Sequence, residues 1–67
     1  MKEGYLHFTR LIKDRDTGEE EGISDKIEFK NIQCLYKDRN GTWLVLSTGY
    51  MIKTAHTMSE LEGHIFK

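Results

Sequence analysis

The side chains that could bind a soft metal are few and widely spaced in this 67-residue chain. They are His7, Cys34, His56 and His64. Protein zinc sites usually contain cysteine and histidine pairs separated by about two to five residues. No two of these four residues are that close. We therefore predict no metal site, a core position for Cys34, a surface or staple position just before the helix N-cap for His56 and an exposed helical position for His64.

Oxygen ligands for calcium are concentrated in residues 14–25, with the sequence D-R-D-T-G-E-E-E-G-I-S-D. An EF-hand loop has oxygen ligands at alternating positions, then a glycine, and a bidentate glutamate at its end. Asp14 and Asp16 fit the alternating ligands. Gly18 comes one position too early, and Asp25 stands where the glutamate belongs. A solvated acidic loop is the better interpretation of this segment.

Hydroxyl nucleophiles are present at Ser47, Thr48 and Ser59. A serine or threonine becomes nucleophilic when a neighbouring base and a suitable turn activate it. These residues have no glycine-flanked elbow, no marked base and no glycine loop for phosphate around them. We predict that the protein is not an enzyme and uses no cofactor.

The net charge of −1 at pH 7 is unevenly distributed. Residues 14–25 contain six acids and one base, a charge of −5, which leaves +4 on the rest of the chain. These positive charges form no continuous stripe of the kind that phosphate backbones require. No apolar stretch approaches the roughly 20 residues that span a bilayer. The single cysteine favours a reducing compartment. We expect a cytoplasmic protein that does not insert into a membrane.

The elements that would position these residues are mostly strands. Apolar alternation and turn residues predict five of them. The Asn40-Gly41 and Thr48-Gly49 pairs predict tight hairpin turns, and Asn31 predicts a bend or bulge. Residues 13–25 are predicted to form an inserted mobile acidic loop. The predicted strands are 5–12, 26–29, 32–37, 43–46 and 50 to 54 or 55.

The end of the chain has a helical pattern. Thr57 and Glu60 fit the capping box, and Met58, Leu61 and Ile65 recur at helical spacing. The predicted fold is therefore a single α+β domain of residues 1–67. It contains a small five-stranded antiparallel β-meander, open or curled like a barrel, and a short C-terminal α-helix.

Four consecutive apolar residues, from Trp43 to Leu46, place large side chains on both faces of the predicted sheet. One short helix can cover only one face. The helix side is predicted to hold Leu44, Leu46 and Ile52, with Phe8 and either Ile27 or Phe29. The open side is predicted to hold an apolar protein interface made of Tyr5, Leu35, Trp43 and Val45, with Leu11 at its edge. The alternative is a curled monomer in which both faces form one core.

Two other functions remain open at this point. Aromatic side chains on a sheet could stack nucleic-acid bases, with phosphate contacts from the nearby cations Arg10, Lys37, Arg39 and Lys53. The near-zero net charge weakens the electrostatic attraction on which such binding depends. A protein that sequesters a small ligand or nucleotide at a subunit interface is the further alternative.

The stretch I-Q-C-L-Y-K-D-R-N-G-T-W-L-V-L-S-T-G-Y-M-I-K-T-A-H-T-M-S-E-L-E-G-H-I resembles the small FlbD-like proteins of flagellar gene clusters and their relatives in phages and prophages. The segment Y-L-H-F-T-R-L-I approximates the first strand of that family. His56 stands where the family tends to have glutamate. The resemblance implies a small non-enzymatic bacterial accessory factor and supplies no catalytic residues.

The C-terminal stretch is also similar to the start of a LytTR-type DNA-binding domain, in which a helix containing "L-x-E-L-E" follows the strands. That domain is longer, and its DNA-contacting strands come after the part that matches. Our prediction is a small accessory or regulatory protein that self-associates into homo-oligomers and binds another protein, and the FlbD-like resemblance implies that a bacterium, phage or prophage encodes it.

Overall fold

The computed structural model describes residues 3–66 and contains one antiparallel sheet and one helix. This confirms the predicted α+β class with five antiparallel strands and a short C-terminal helix. A single 3-10 turn, Phe29–Asn31, stands at the predicted bend. The elements are β1 (Tyr5–Lys13), β2 (Glu20–Glu28), β3 (Ile32–Asp38), β4 (Gly41–Leu46), β5 (Met51–Thr54) and α1 (Met58–Ile65).

The strand order across the sheet is β2-β1-β5-β4-β3, so the predicted simple meander is wrong in one respect. Strands β3, β4 and β5 do form a meander. Strand β1 then pairs with β5 through Arg10 and Thr54, and β2 pairs along the far side of β1. As a result β2 and β3, which follow each other in the chain, lie at opposite edges of the sheet.

The sheet must be strongly curled. In a flat sheet the two outer strands would be about 19 Å apart, because neighbouring strands are about 4.8 Å apart. The three residues between β2 and β3 allow at most about 14 Å between the strand ends. The 3-10 turn between β2 and β3 is hydrogen-bonded to both sides of the sheet. Phe29 N donates to the carbonyl of Gly4, just before β1 (3.0 Å), and Ser47 N, just after β4, donates to Asn31 O (2.9 Å). The result is a trough that is not closed into a barrel.

The core fills the concave side of this trough. Its buried side chains are Leu6, Phe8, Leu44, Ile52 and Leu61, and the partly buried residues packed against them are Ile27, Phe29, Ile32, Leu35, Leu46 and Ile65. This confirms the predicted helix side of the sheet. The capping box at the start of α1 is also confirmed, because Thr57 Oγ1 accepts from Glu60 N (3.2 Å) and Glu60 Oε1 accepts from Thr57 N (3.1 Å).

The acidic loop is shorter than predicted. Residues Glu20–Asp25 belong to β2, which pairs with β1 over nine residues from Tyr5↔Glu28 to Lys13↔Glu20. Backbone pairing with a long neighbouring strand overrides the weak strand preference of the acidic sequence. The turn that remains is fastened by Asp14, whose Oδ1 accepts from Asp16 N (2.8 Å) and whose backbone O accepts from Gly18 N (2.9 Å).

Two predictions on β3 are wrong. Cys34 is exposed and Leu35 lies on the helix side, where its cross-strand partner is the buried Leu44. The register shifts between Ile32 and Cys34, which indicates a β-bulge at Gln33. A bulge changes which face the following side chains occupy. Ile32 and Leu35 therefore share the core side, which the alternation in the sequence did not predict.

Candidate interaction surface

The face of the sheet opposite α1 carries a strip of apolar side chains, which we call the open face. Trp43 lies opposite Tyr36 on one side and Lys53 on the other, and Val45 lies between Cys34 and Met51. Cross-strand partners project from the same face, so these residues are neighbours on one surface. The open face consists of Tyr5, Leu11, Cys34, Tyr36, Trp43, Val45, Met51 and Lys53.

Several open-face side chains remain in contact with solvent. Tyr5 is 50% exposed, Tyr36 47% and Met51 43%. Leu11, Trp43 and Val45 are half-buried. The structure therefore places four of the five predicted interface residues on one face, and only Leu35 belongs to the other. The helix leaves this face uncovered.

A groove crosses the open face between β1 and β5. These strands pair at Arg10↔Thr54, and within the described residues no further pair joins them. Beyond that point they diverge and leave a groove of about 640 Å³, lined in part by Leu11, Trp43 and Met51. Lys53 spans it, with Nζ 2.8 Å from Glu20 Oε2 and 6.0 Å from the centre of the Trp43 ring. The lining is mixed, because Arg10, Lys13 and Glu20 stand beside these apolar residues, and one ion pair crosses the groove.

The orientation of Trp43 is set by Asp38. Asp38 Oδ1 accepts from Trp43 Nε1 (3.3 Å) and also from the backbone amides of Asn40 (2.8 Å) and Gly41 (3.1 Å). One carboxylate oxygen therefore closes the β3–β4 turn and holds the indole ring at the sheet surface. The sequence D-R-N-G carries a signal for the turn contacts, because an aspartate often bonds the amides that follow it. It carries no signal for the contact with Trp43.

His56 connects β1 to the start of α1. Its Nε2 accepts from Thr9 N (2.9 Å), directly beside the bond from Ala55 N to Thr9 O (3.0 Å). The imidazole thus takes the place of the next carbonyl in the β1–β5 ladder. His56 directly precedes the N-cap of α1, as predicted, and it is half-buried, so of the two predicted alternatives the fully exposed surface position is wrong. A nitrogen that accepts an amide hydrogen carries no proton, which leaves Nδ1 as the donor towards Glu60.

Glu60 faces both the helix N-terminus and His56. The pKa of its carboxyl group is lowered from the ordinary value of 4.5. The main cause is the hydrogen bond from the Thr57 amide, followed by the interaction with His56 and the hydrogen bond from the Thr57 hydroxyl. Glu60 Oε2 lies 3.5 Å from His56 Nδ1. These contacts stabilise the charged carboxylate at the end of the helix that covers the core.

The four cations proposed to contact nucleic acid are not gathered on one surface. Arg10 pairs with Asp25 at 3.4 Å and projects from the face that carries the buried Thr54. Lys37 lies opposite Thr42 on the helix side, and Arg39 lies in the β3–β4 turn. Lys53 alone of the four is on the open face, where it pairs with Glu20.

Within residues 3–66 no three His, Cys, Asp or Glu side chains lie together in a way that could hold a metal ion. The only described helix, α1, is far too short to cross a membrane. No family model, curated protein or solved structure matches the chain. The resemblance to FlbD-like proteins therefore stays a prediction.

Proposed function

We propose that the protein is a small accessory protein without enzymatic activity, that it acts by binding protein surfaces through its open face, and that a second copy of itself is one of its partners. The observation that supports this most is the uncovered strip around Trp43 and Val45. Contiguous exposed apolar surface on a small domain is typical of interaction sites.

The composition of the strip suits protein binding. Tyrosine and tryptophan are enriched among residues that dominate binding energy. Trp43 is already held by Asp38. Its side chain therefore loses little conformational entropy when a partner covers it. The charged group at the centre of the strip, Lys53, is paired with Glu20. A second copy that covers the centre of the strip therefore buries no unpaired charge there.

The size of the protein gives a reason for self-association. A domain of about 60 residues buries only about 60% of the surface that its unfolded chain exposes. Here one helix of eight residues supplies the cover for a single face of a five-stranded sheet. A second molecule on the open face would bury apolar surface that the chain itself leaves in water. The FlbD-like resemblance favours a bacterial or phage protein as the other partner.

Sedimentation velocity over a wide concentration range tests this proposal. The wild-type protein should show a weight-average mass that rises with concentration, and Val45→Lys should lower that mass at every concentration. Phe66→Ser is the matched control, because Phe66 is 74% exposed and follows α1. A wild-type protein that stays monomeric, or a Phe66→Ser effect as large as that of Val45→Lys, would overturn the proposal.

Nucleic-acid binding is the second candidate, and one observation favours it. Two aromatic rings of the open face have a lysine next to them: Lys26 Nζ is 4.9 Å from the centre of the Tyr5 ring, and Lys53 lies near Trp43. A mobility shift with single-stranded and duplex oligonucleotides decides between the candidates. A protein-binding module should give no shift at physiological salt, whereas a salt-dependent shift that Trp43→Ala abolishes would favour nucleic acid.

A small ligand in the groove is the third candidate. The groove volume of about 640 Å³ falls within the range of ligand pockets. Thermal unfolding in the presence of nucleotides tests it. We expect no change in Tm, because the groove is open to solvent along the sheet.

A further inference from the structure

The two outer strands of the sheet, β2 and β3, each have one side that pairs with no other described strand. Such an edge presents a row of backbone N–H and C=O groups that can pair with another strand. Proteins commonly protect their edges with charged side chains. The two edges of this sheet differ in that protection.

Charged side chains protect β2 but not the first five residues of β3, and the bulge of β3 is confined to one end of that strand. Five of the nine residues of β2 are charged, whereas the run N-I-Q-C-L-Y, which leads into and forms most of β3, has no charge. If two copies of β2 paired antiparallel about their midpoint, Glu20 of one copy would face Glu28 of the other, twice in each pair. Like charges directly opposite each other destabilise a strand pair.

We propose that β3 pairs antiparallel with β3 of a second copy, centred on Leu35, the middle residue of the strand. This inference rests on the self-association proposed above and names a second contact for it. In this arrangement Gln33, at the bulge, lies next to Lys37 of the other copy, and the regular pairing runs from Cys34 to Tyr36. No like charges are opposed. The two sheets continue into one another through hydrogen bonds between peptide groups.

The arrangement also extends the open face. Residues that face each other across an antiparallel pair project from the same side of the sheet. Cys34 of each copy therefore lies beside Tyr36 of the other, and both belong to the open face. The apolar strip of one copy continues into that of its partner. The bulge at Gln33 increases the local twist, so the regular residues that follow it should make the best hydrogen bonds.

Edge pairing and face stacking use different groups of the protein. The first joins peptide groups of β3, and the second buries side chains around Trp43 and Val45. Both contacts can therefore form in one assembly. Each can also be removed while the other remains, which makes the two proposals separable.

Charge changes at the exposed Gln33 test the edge contact. The measurement is the dimer Kd by sedimentation equilibrium in the Val45→Lys background, where face stacking is removed. Gln33→Lys places a second cation beside Lys37 of the other copy and should raise the Kd about tenfold, since each dimer contains two such pairs. Gln33→Glu is the matched control and should lower the Kd. Gln33→Lys with Lys37→Glu should restore dimerisation.

The sign of the effect is the same if the strands slip towards the C-terminal end of β3. If the strands slip so that Tyr36 is central, Gln33 lies next to Arg39, which is also a cation. Equal effects of Gln33→Lys and Gln33→Glu would overturn edge pairing, and so would a monomeric Val45→Lys protein that still folds by circular dichroism. Either result leaves face stacking intact. Conversely, an unchanged mass for Val45→Lys would overturn face stacking alone.

Amide hydrogen exchange gives a second, independent readout. Edge pairing should slow the exchange of alternate backbone amides in β3 as the protein concentration rises, because those amides gain acceptors. The outer amides of β2 serve as the internal control and should not respond. Association without slower exchange in β3 would show that copies meet elsewhere and would overturn the edge proposal.

Discussion

Leu44 and Val45 are neighbours in β4, and they have opposite environments. Leu44 has 0% of its surface exposed, whereas Val45 is half-buried on the open face. Both are aliphatic and lie in the same strand between the same neighbouring strands. What differs is that α1 covers one face of the sheet, where Leu44 packs in one cluster with Leu6, Phe8 and Leu61. In a short sheet with apolar residues on both sides, the covering elements decide which side becomes the core.

The polar contacts follow the same asymmetry. On the helix side, the bond from Thr9 to His56 and the capping box of Thr57 and Glu60 fix the elements that lie over the core. On the open side, Asp38 holds Trp43 and Glu20 holds Lys53, and these contacts orient side chains without covering them. The helix side is thus closed by the chain itself, whereas the open side stays in contact with solvent.

The largest expected difference between the faces is in core truncation. Leu44→Ala should lower the free energy of unfolding by about 2–5 kcal/mol, because it removes a fully buried side chain and leaves a cavity. Val45→Ala should cost less than half as much. Urea denaturation of dilute protein, where association is negligible, measures both. If Leu44→Ala does not fold, Leu44→Val provides the comparison. Equal losses at the two positions would contradict the assignment of the faces.

Much of the fold could be predicted because its signals are local. The Asn40-Gly41 and Thr48-Gly49 turns bracket β4, and the capping box defines the start of α1. The first six residues of β2, Glu20–Asp25, could not be predicted to form a strand. They have little strand preference of their own and are extended because they pair with β1. The place of β1 beside β5 depends on the curl of the whole sheet, which no local pattern encodes.

The candidate interaction surface could be predicted in part. Alternation along β4 correctly separated Trp43 and Val45 from Leu44. The same reasoning misplaced Cys34 and Leu35, because a bulge shifts the alternation and a bulge at a glutamine has no clear sequence signal. The role of His56 also escaped sequence analysis. Its partner, the amide of Thr9, is 47 residues away in the chain.

A smaller effect should appear when the His56 contact is removed. His56→Ala leaves the Thr9 amide without its acceptor at the junction between β1 and α1, which should lower the free energy of unfolding by about 1–3 kcal/mol. The exposed His7 provides the matched control, and His7→Ala should change stability by less than about 0.5 kcal/mol. Chemical denaturation gives both values.

The loss of stability in His56→Ala should be confined to the helix side of the sheet. In the amide NMR spectrum of His56→Ala, the resonance of Thr9 should shift strongly. Amide hydrogen exchange should become faster for residues of the helix side. Resonances of Val45 and Tyr36 on the open face should change little. A stability loss spread evenly over both faces would mean that His56 supports the whole sheet, and not the cover of one side.

The smallest expected effect is the dependence of the helix cover on pH. The pKa of Glu60 is lower in the folded protein than its ordinary value of 4.5, chiefly because the Thr57 amide donates to its carboxylate. The folded state therefore favours the charged form, so Glu60 adds to stability above pH 4.5 and this contribution is lost as the pH falls through the lowered pKa. Glu60→Gln keeps a side chain that can accept from the Thr57 amide but cannot titrate. The free energy of unfolding of Glu60→Gln should thus fall less steeply in acid than that of the wild type.

Because Glu60 belongs to the cap of α1, the added loss in the wild type should appear as faster amide exchange in the first turn of the helix, while β4 stays protected. Identical acid profiles for the two proteins would mean that other carboxylates, and not the cap over the core, set the response to pH.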